Sequence, residues 1–126
     1  MGADVIKLVY CIRKRTDLPA EEFRKYWLEQ HGPLVRSVAA QINAAKYVQS
    51  HTVEPGLNGV LQQSRGLAEP YDGITEVWWE DVADLHAAMA TAEGRAAMGR
   101  LVDDESKFID FAHSRVFMTE EQVIFD

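Results

Sequence analysis

This 126-residue chain is short of cysteine, with one, and short of positive charge, with thirteen basic residues against twenty acidic ones. The lone Cys11 excludes a disulfide framework and fits a reducing compartment, so a cytoplasmic protein is expected. The formal charge of −7 repels phosphate backbones and anionic lipid, and neither nucleic acid nor a membrane is an expected partner. No apolar run approaches the roughly 20 residues that span a bilayer, and the first residues lack the basic-then-apolar pattern of a secretory leader. No glycine-rich loop follows a strand pattern, which argues against NAD, FAD or ATP. The four histidines show no metal-ligand spacing, so neither cofactor nor metal is expected. The length suits one domain over residues 1–126, long enough to bury roughly two-thirds of its unfolded surface.

What the chain does have is pattern. From about Asp4 to Lys14, Ile6, Leu8, Tyr10 and Ile12 alternate with Val5, Lys7, Val9, Cys11 and Arg13, apolar on both faces, as in a central strand covered on both sides. Pro19, Glu21 and Glu22 suit the first turn of a helix running to about Gln30, with Phe23, Tyr26 and Trp27 on one face and Gly32 as its end. Pro33 opens a second helical piece carrying Leu34, Val38 and Ile42. A second strand is expected from about Ala45 to Val53, with Tyr47, Gln49, His51 and Val53 on one face. Glu54 to Asp72 is expected as a lid, a binding loop or a disordered segment, with room for a helical turn between Leu57 and Arg65. A third strand follows from Gly73 to about Glu80, then a helical region from Asp81-Val82 kinked at Ala92 to Gly94, a last strand from about Ala112 to Met118, and an acidic tail containing Val123-Ile124-Phe125.

The order β-α-β-β-α-β predicts an α+β, ferredoxin-like fold: a four-stranded antiparallel sheet with its helices on one face. Apolar residues on both sides of the strands leave a second face that water would not tolerate, so a homodimer packed sheet on sheet is expected.

The segment Phe23 to Val35, with Tyr26-Trp27 and His31-Gly32-Pro33-Leu34, resembles the signature of EthD-type domains, a branch of the dimeric α/β-barrel proteins. The likeness continues in Tyr47-Val48-Gln49-Ser50-His51, Tyr71-Asp72-Gly73-Ile74-Thr75-Glu76, Glu93-Gly94 and the terminal Met118 to Val123. The resemblance implies a homodimeric barrel with a cavity for a small organic molecule in each protomer. It also implies cofactor-free chemistry on ring or polyketide-like compounds.

His51 is the first candidate for catalysis, because it shares a strand face with Tyr47 and Gln49. The neighbouring third strand is expected to turn Glu76 and Trp78 into the same space. Imidazole, phenol and carboxyl together move protons near neutral pH, with aromatic walls to hold an apolar ring. His31, expected at a helix end where the dipole favours an imidazolium, is the second candidate, and the resembling family keeps a histidine there. The resulting expectation is an isomerase or lyase acting by proton transfer, through His51, His31, Tyr47 and Glu76, with Tyr26, Trp27, Gln49 and Trp78 holding substrate. The competing reading is a non-catalytic small-molecule-binding or accessory protein of a degradation pathway.

Overall fold

β-branched and aromatic residues in period two build the sheet of the computed structural model, which describes residues 5–126. Asp4 and the residues before it lie outside that range, so the strand expected from Asp4 is described only from β1 (Ile6–Ile12). β1 is central, pairing antiparallel with β3 (Gly73–Trp79) on one side and β4 (Arg115–Thr119) on the other. β2 (Lys46–His51) completes the sheet at the outer edge of β3, giving the order β2-β3-β1-β4. This is the ferredoxin-like arrangement.

The first helical stretch is longer than the sequence suggests. Gly32 does not end it: α1 (Ala20–Tyr26) continues through a π-helical turn, Trp27–His31, into α2 (Gly32–Val38). The Gly32 amide donates to the Trp27 carbonyl five residues back, the bond that defines the wider turn, and Gly32 keeps ordinary helical angles. π-turns of this kind cluster at functional sites, and this one carries the buried pair Trp27 and His31.

The segment expected as a loop contains α3 (Pro55–Arg65), an eleven-residue helix with no buried residue. Its short apolar row, Leu57, Val60 and Leu61 at helical spacing, stays exposed and packs onto no core. The kink expected at residues 92–94 is a break between α4 (Val82–Ala90) and α5 (Ala92–Glu105), where Thr91 Oγ1 accepts from the Gly94 amide at 2.9 Å. A short 3-10 turn, Phe111–His113, occupies the start of the expected last strand and delays β4 to Arg115. Among the described residues no helix is long and apolar enough to cross a membrane.

The core divides into two clusters, both on the helical side of the sheet. One joins Ile12 to Phe23, Trp27, Phe108 and Ile109; the other joins Val38 and Ile42 to Ala88 and Ala97. The floor between them, formed by Leu8, Tyr10, Tyr47, Thr75 and Val77, is not filled by either cluster.

Candidate active site

The gap between the two core clusters is a cavity of about 540 Å³. Its walls are overwhelmingly apolar, with Leu8, Val35, Val77, Trp79, Met98 and Leu101 among them. Four polar residues of the wall bear on its chemistry: Tyr10, His31, Tyr47 and Glu105. Such a space, apolar with a few convergent polar groups, is the usual form of a small-molecule site. A second cleft of about 550 Å³ lies outside it between α2 and β2, lined by Leu28, Arg36, Lys46 and Gln49, and holds no histidine or carboxylate.

His31 is 5% exposed, and its Nδ1 lies 2.7 Å from Asp104 Oδ2 on α5. The same carboxylate accepts from the Tyr26 hydroxyl at 2.5 Å and pairs with Lys107 at 3.5 Å. Burial works against the Asp104 charge, but the bonds from Tyr26 and His31 overcome it and hold the carboxyl below its ordinary range. An ionised carboxylate only accepts, so Nδ1 carries the hydrogen and the His31 Nε2 lone pair is left with no partner among the described residues. Burial also lowers the imidazole below its ordinary pKa, against the pull of Asp104. A neutral imidazole oriented by a carboxylate and bordering an apolar cavity has the arrangement that proton transfer requires. The dipole-stabilised imidazolium expected from the sequence is therefore corrected: the helix does not end at His31, and no free carbonyls surround it.

The other predicted site residues separate into two sets. Tyr47, Gln49 and His51 share the helix-facing side of β2, as expected, in register with Val77, Thr75 and Gly73. Glu76 and Trp78 do not join them. They alternate onto the opposite face, where Glu76 opposes Val48 and pairs with Lys7 at 2.8 Å, and where the Trp78 ring lies beneath the Lys7 and Lys46 ammonium groups. The pleat decides this, since residues opposite one another in adjacent strands point the same way.

His51 stacks on Trp27 with ring centroids 4.2 Å apart, and its Nε2 meets Gln49 Oε1 at 2.8 Å. It is not among the residues lining the cavity. Burial, assisted by Arg24, lowers its pKa. Gln49 continues the chain, donating to the Tyr47 hydroxyl and the Trp27 carbonyl at 2.8 Å each. Trp27, fully buried, does line the cavity, and its buried Nε1 has no hydrogen-bond partner among the described residues. Tyr26 packs on Phe108 and holds Asp104, so it supports His31 without facing the cavity.

Asp104, Glu105 and Tyr10 were not singled out by the sequence. The available signal was Glu105 four residues after Leu101 and seven after Met98, a carboxylate on an apolar stripe.

A four-stranded antiparallel sheet roofed on one face by helices, with a histidine-carboxylate pair beside an apolar pocket, defines a ferredoxin-like α+β domain built around a small-molecule-sized space. The EthD domain model matches residues 15–112, and the chain belongs to that family. Among solved structures it is similar to an EthD family protein from Bacillus halodurans, with 20% identity, TM-score 0.61, and coverage of 94% of this chain and 99% of that one. A dimeric ferredoxin-like protein of unknown function from Bacteroides fragilis shares 15% identity at TM-score 0.57, covering 93% and 96%. SnoaB from Streptomyces nogalater, a cofactor-independent oxygenase, shares 11% identity at TM-score 0.55, covering 98% and 99%. These likenesses concern the fold. No curated protein matches the chain.

Proposed function

We propose that this protein is a cofactor-independent enzyme that moves protons on a small, apolar, cyclic or enolisable molecule held between sheet and helices. The observation that carries the reading is His31: a buried imidazole on the cavity wall, oriented through Nδ1 by Asp104, with Nε2 unpartnered. In this role Nε2 takes a proton from carbon, Asp104 stabilises the imidazolium that forms, and Tyr26 fixes Asp104. Isomerisation and dehydration pass through the enolate that such a base generates; decarboxylation forms its enolate by loss of CO₂, and the imidazolium then supplies the proton to carbon. Tyr47 supplies a phenol on the β2 side, for an oxygen of the bound molecule. His51 is assigned to holding the Trp27 ring, and Glu76 and Trp78 to the outer sheet face.

The homodimer belongs to the same reading. Val9, Cys11, Val48, Ile74 and Phe117 share the sheet face that no helix covers, and solved structures of this fold include proteins described as dimeric. The free Cys11 suits a reducing, intracellular setting.

Uptake of deuterium from D₂O into 2-tetralone, an apolar and enolisable bicyclic ketone, tests the base directly by NMR. The protein is expected to accelerate exchange at the carbon next to the carbonyl, His31→Ala to lower that rate by on the order of 10²-fold, and His51→Ala to leave it near wild type. A rate lost with His51 and kept without His31 transfers the role to His51. Saturable binding of 2-tetralone with no exchange favours the competing reading, a carrier or accessory protein using the same cavity.

A further inference from the structure

Glu105 is the second carboxylate at the end of α5, and the reading above leaves it unused. It lies on the cavity wall among Tyr10, Leu101, Phe108 and Ile109, and among the described residues it forms no ion pair. The titratable groups around it are accounted for. Tyr10 faces it from β1, Asp104 precedes it on α5, and Tyr47 on β2 and His31 on the π-turn share the cavity wall. The cations nearest in sequence or space are engaged elsewhere: Lys107 with Asp104, and Arg15 with Asp17 and the Ser106 carbonyl. A carboxyl so placed favours its neutral, proton-bearing form. Burial accordingly raises it to about 7, with Tyr10 pulling downward and the Asp104 charge pushing upward.

We propose that Glu105, seated against Tyr10, is the hydrogen-bond and proton donor of the cavity, so that the site selects apolar rings bearing an anionic or carbonyl oxygen: phenolates, enolates and their parent ketones. This rests on the cavity being a ligand site, as argued above, and adds the polarity of its ligand. In an enolisation the C–H proton passes to the base while the Glu105 O–H proton passes to the carbonyl oxygen. The ligand becomes a neutral enol and Glu105 a carboxylate. Collapse of the enol returns its O–H proton to Glu105 as the imidazolium gives a proton to carbon, leaving both groups as they began. No oxidant or further reactant is required.

Two probes separate this inference from the reading beneath it. Naphthalene has no oxygen and reports only whether the cavity takes an apolar ring; 2,4-dinitrophenolate is anionic throughout the range used and reports the donor. Wild type is expected to bind naphthalene equally at about pH 6 and about pH 8, and to lose about tenfold in affinity for 2,4-dinitrophenolate over the same interval as Glu105 ionises. Glu105→Gln is expected to bind both probes without that loss. Tyr10 pulls the carboxyl toward its ionised form, so in Tyr10→Phe the loss of phenolate affinity should move to higher pH. Failure of naphthalene to bind overturns the cavity reading itself. Naphthalene binding combined with a flat phenolate affinity in wild type, or with an equal loss in Glu105→Gln, overturns the Glu105 assignment and leaves the cavity standing.

Discussion

Asp104 accepts from two side chains of a single helical stretch, Tyr26 and His31, and an amide in its place can satisfy only one of them without presenting an N–H to the other. Asp104→Asn therefore forces Tyr26 or His31 to accept where it now donates and replaces bonds to a charge by neutral ones, a loss of roughly 1–3 kcal/mol that thermal denaturation would register. Since the His31 imidazole is held below its ordinary 6.5 by burial, the folded protein prefers it neutral. That contribution is present above pH 6.5 and falls away as acid drives the ring through its lowered pKa. Glu105 has the opposite sign. Its folded pKa, raised from 4.5 to about 7, means the native state holds a proton that the unfolded chain has given up, so stability declines as pH rises across that window. Glu105→Gln should consequently melt above wild type at about pH 8 and level with it near pH 4.5; equal melting temperatures at both would show the carboxyl to be solvated and ordinary.

At the level of elements, the register of β2 on β3 brings Gly73 opposite His51 and under the ring of Trp27. A Cβ at Gly73 would overlap that ring and press on the Ser50 carbonyl. Gly73→Ala should then destabilise by roughly 1–3 kcal/mol, seen as a lower denaturation midpoint, and should disturb the indole environment reported by Trp27 fluorescence. An unchanged midpoint would mean that Trp27 moves freely, against the fixed aromatic stack with His51. How far the sequence could be read follows the same line. Strands β1 and β3 and the faces of β2 were legible because period-two alternation depends on local chemistry alone. The side of the sheet to which Glu76 and Trp78 belong was not, since it depends on which residue of β3 meets which of β2, a pairing set by contacts distant in sequence. The His31–Asp104 bond joins residues 73 positions apart, and nothing in either neighbourhood announces the other. Of α3 only a helical turn between Leu57 and Arg65 was legible: Leu57, Val60 and Leu61 keep the helical period, but the prolines and glycines around them obscure it, and all three stay exposed.

For the molecule as a whole, the two faces of the sheet have different fates. The inner face is roofed by α1, α2, α4 and α5, and the cavity lies under that roof. The outer face carries Val9, Cys11, Val48, Ile74 and Phe117 in a block, with Lys7, Glu76 and Trp78 tied together at one end by an ion pair and a cation-π contact. An antiparallel sheet tolerates one wet face when that face is polar; this face holds an apolar block, and in the proposed homodimer a second copy of it would cover that block. Phe117, 49% exposed, is the side chain with most to gain from that contact. Sedimentation should accordingly give a species of about 28 kDa, twice the 14.2 kDa chain, held by an interface above roughly 1,000 Å². Phe117→Asp buries a charge against a facing apolar sheet and should shift the population to monomer while the cavity, on the other side of β1, keeps its affinity for naphthalene. A wild-type monomer at micromolar concentration would remove the dimer, and loss of naphthalene binding on dissociation would tie the cavity to the partner and not to the single fold.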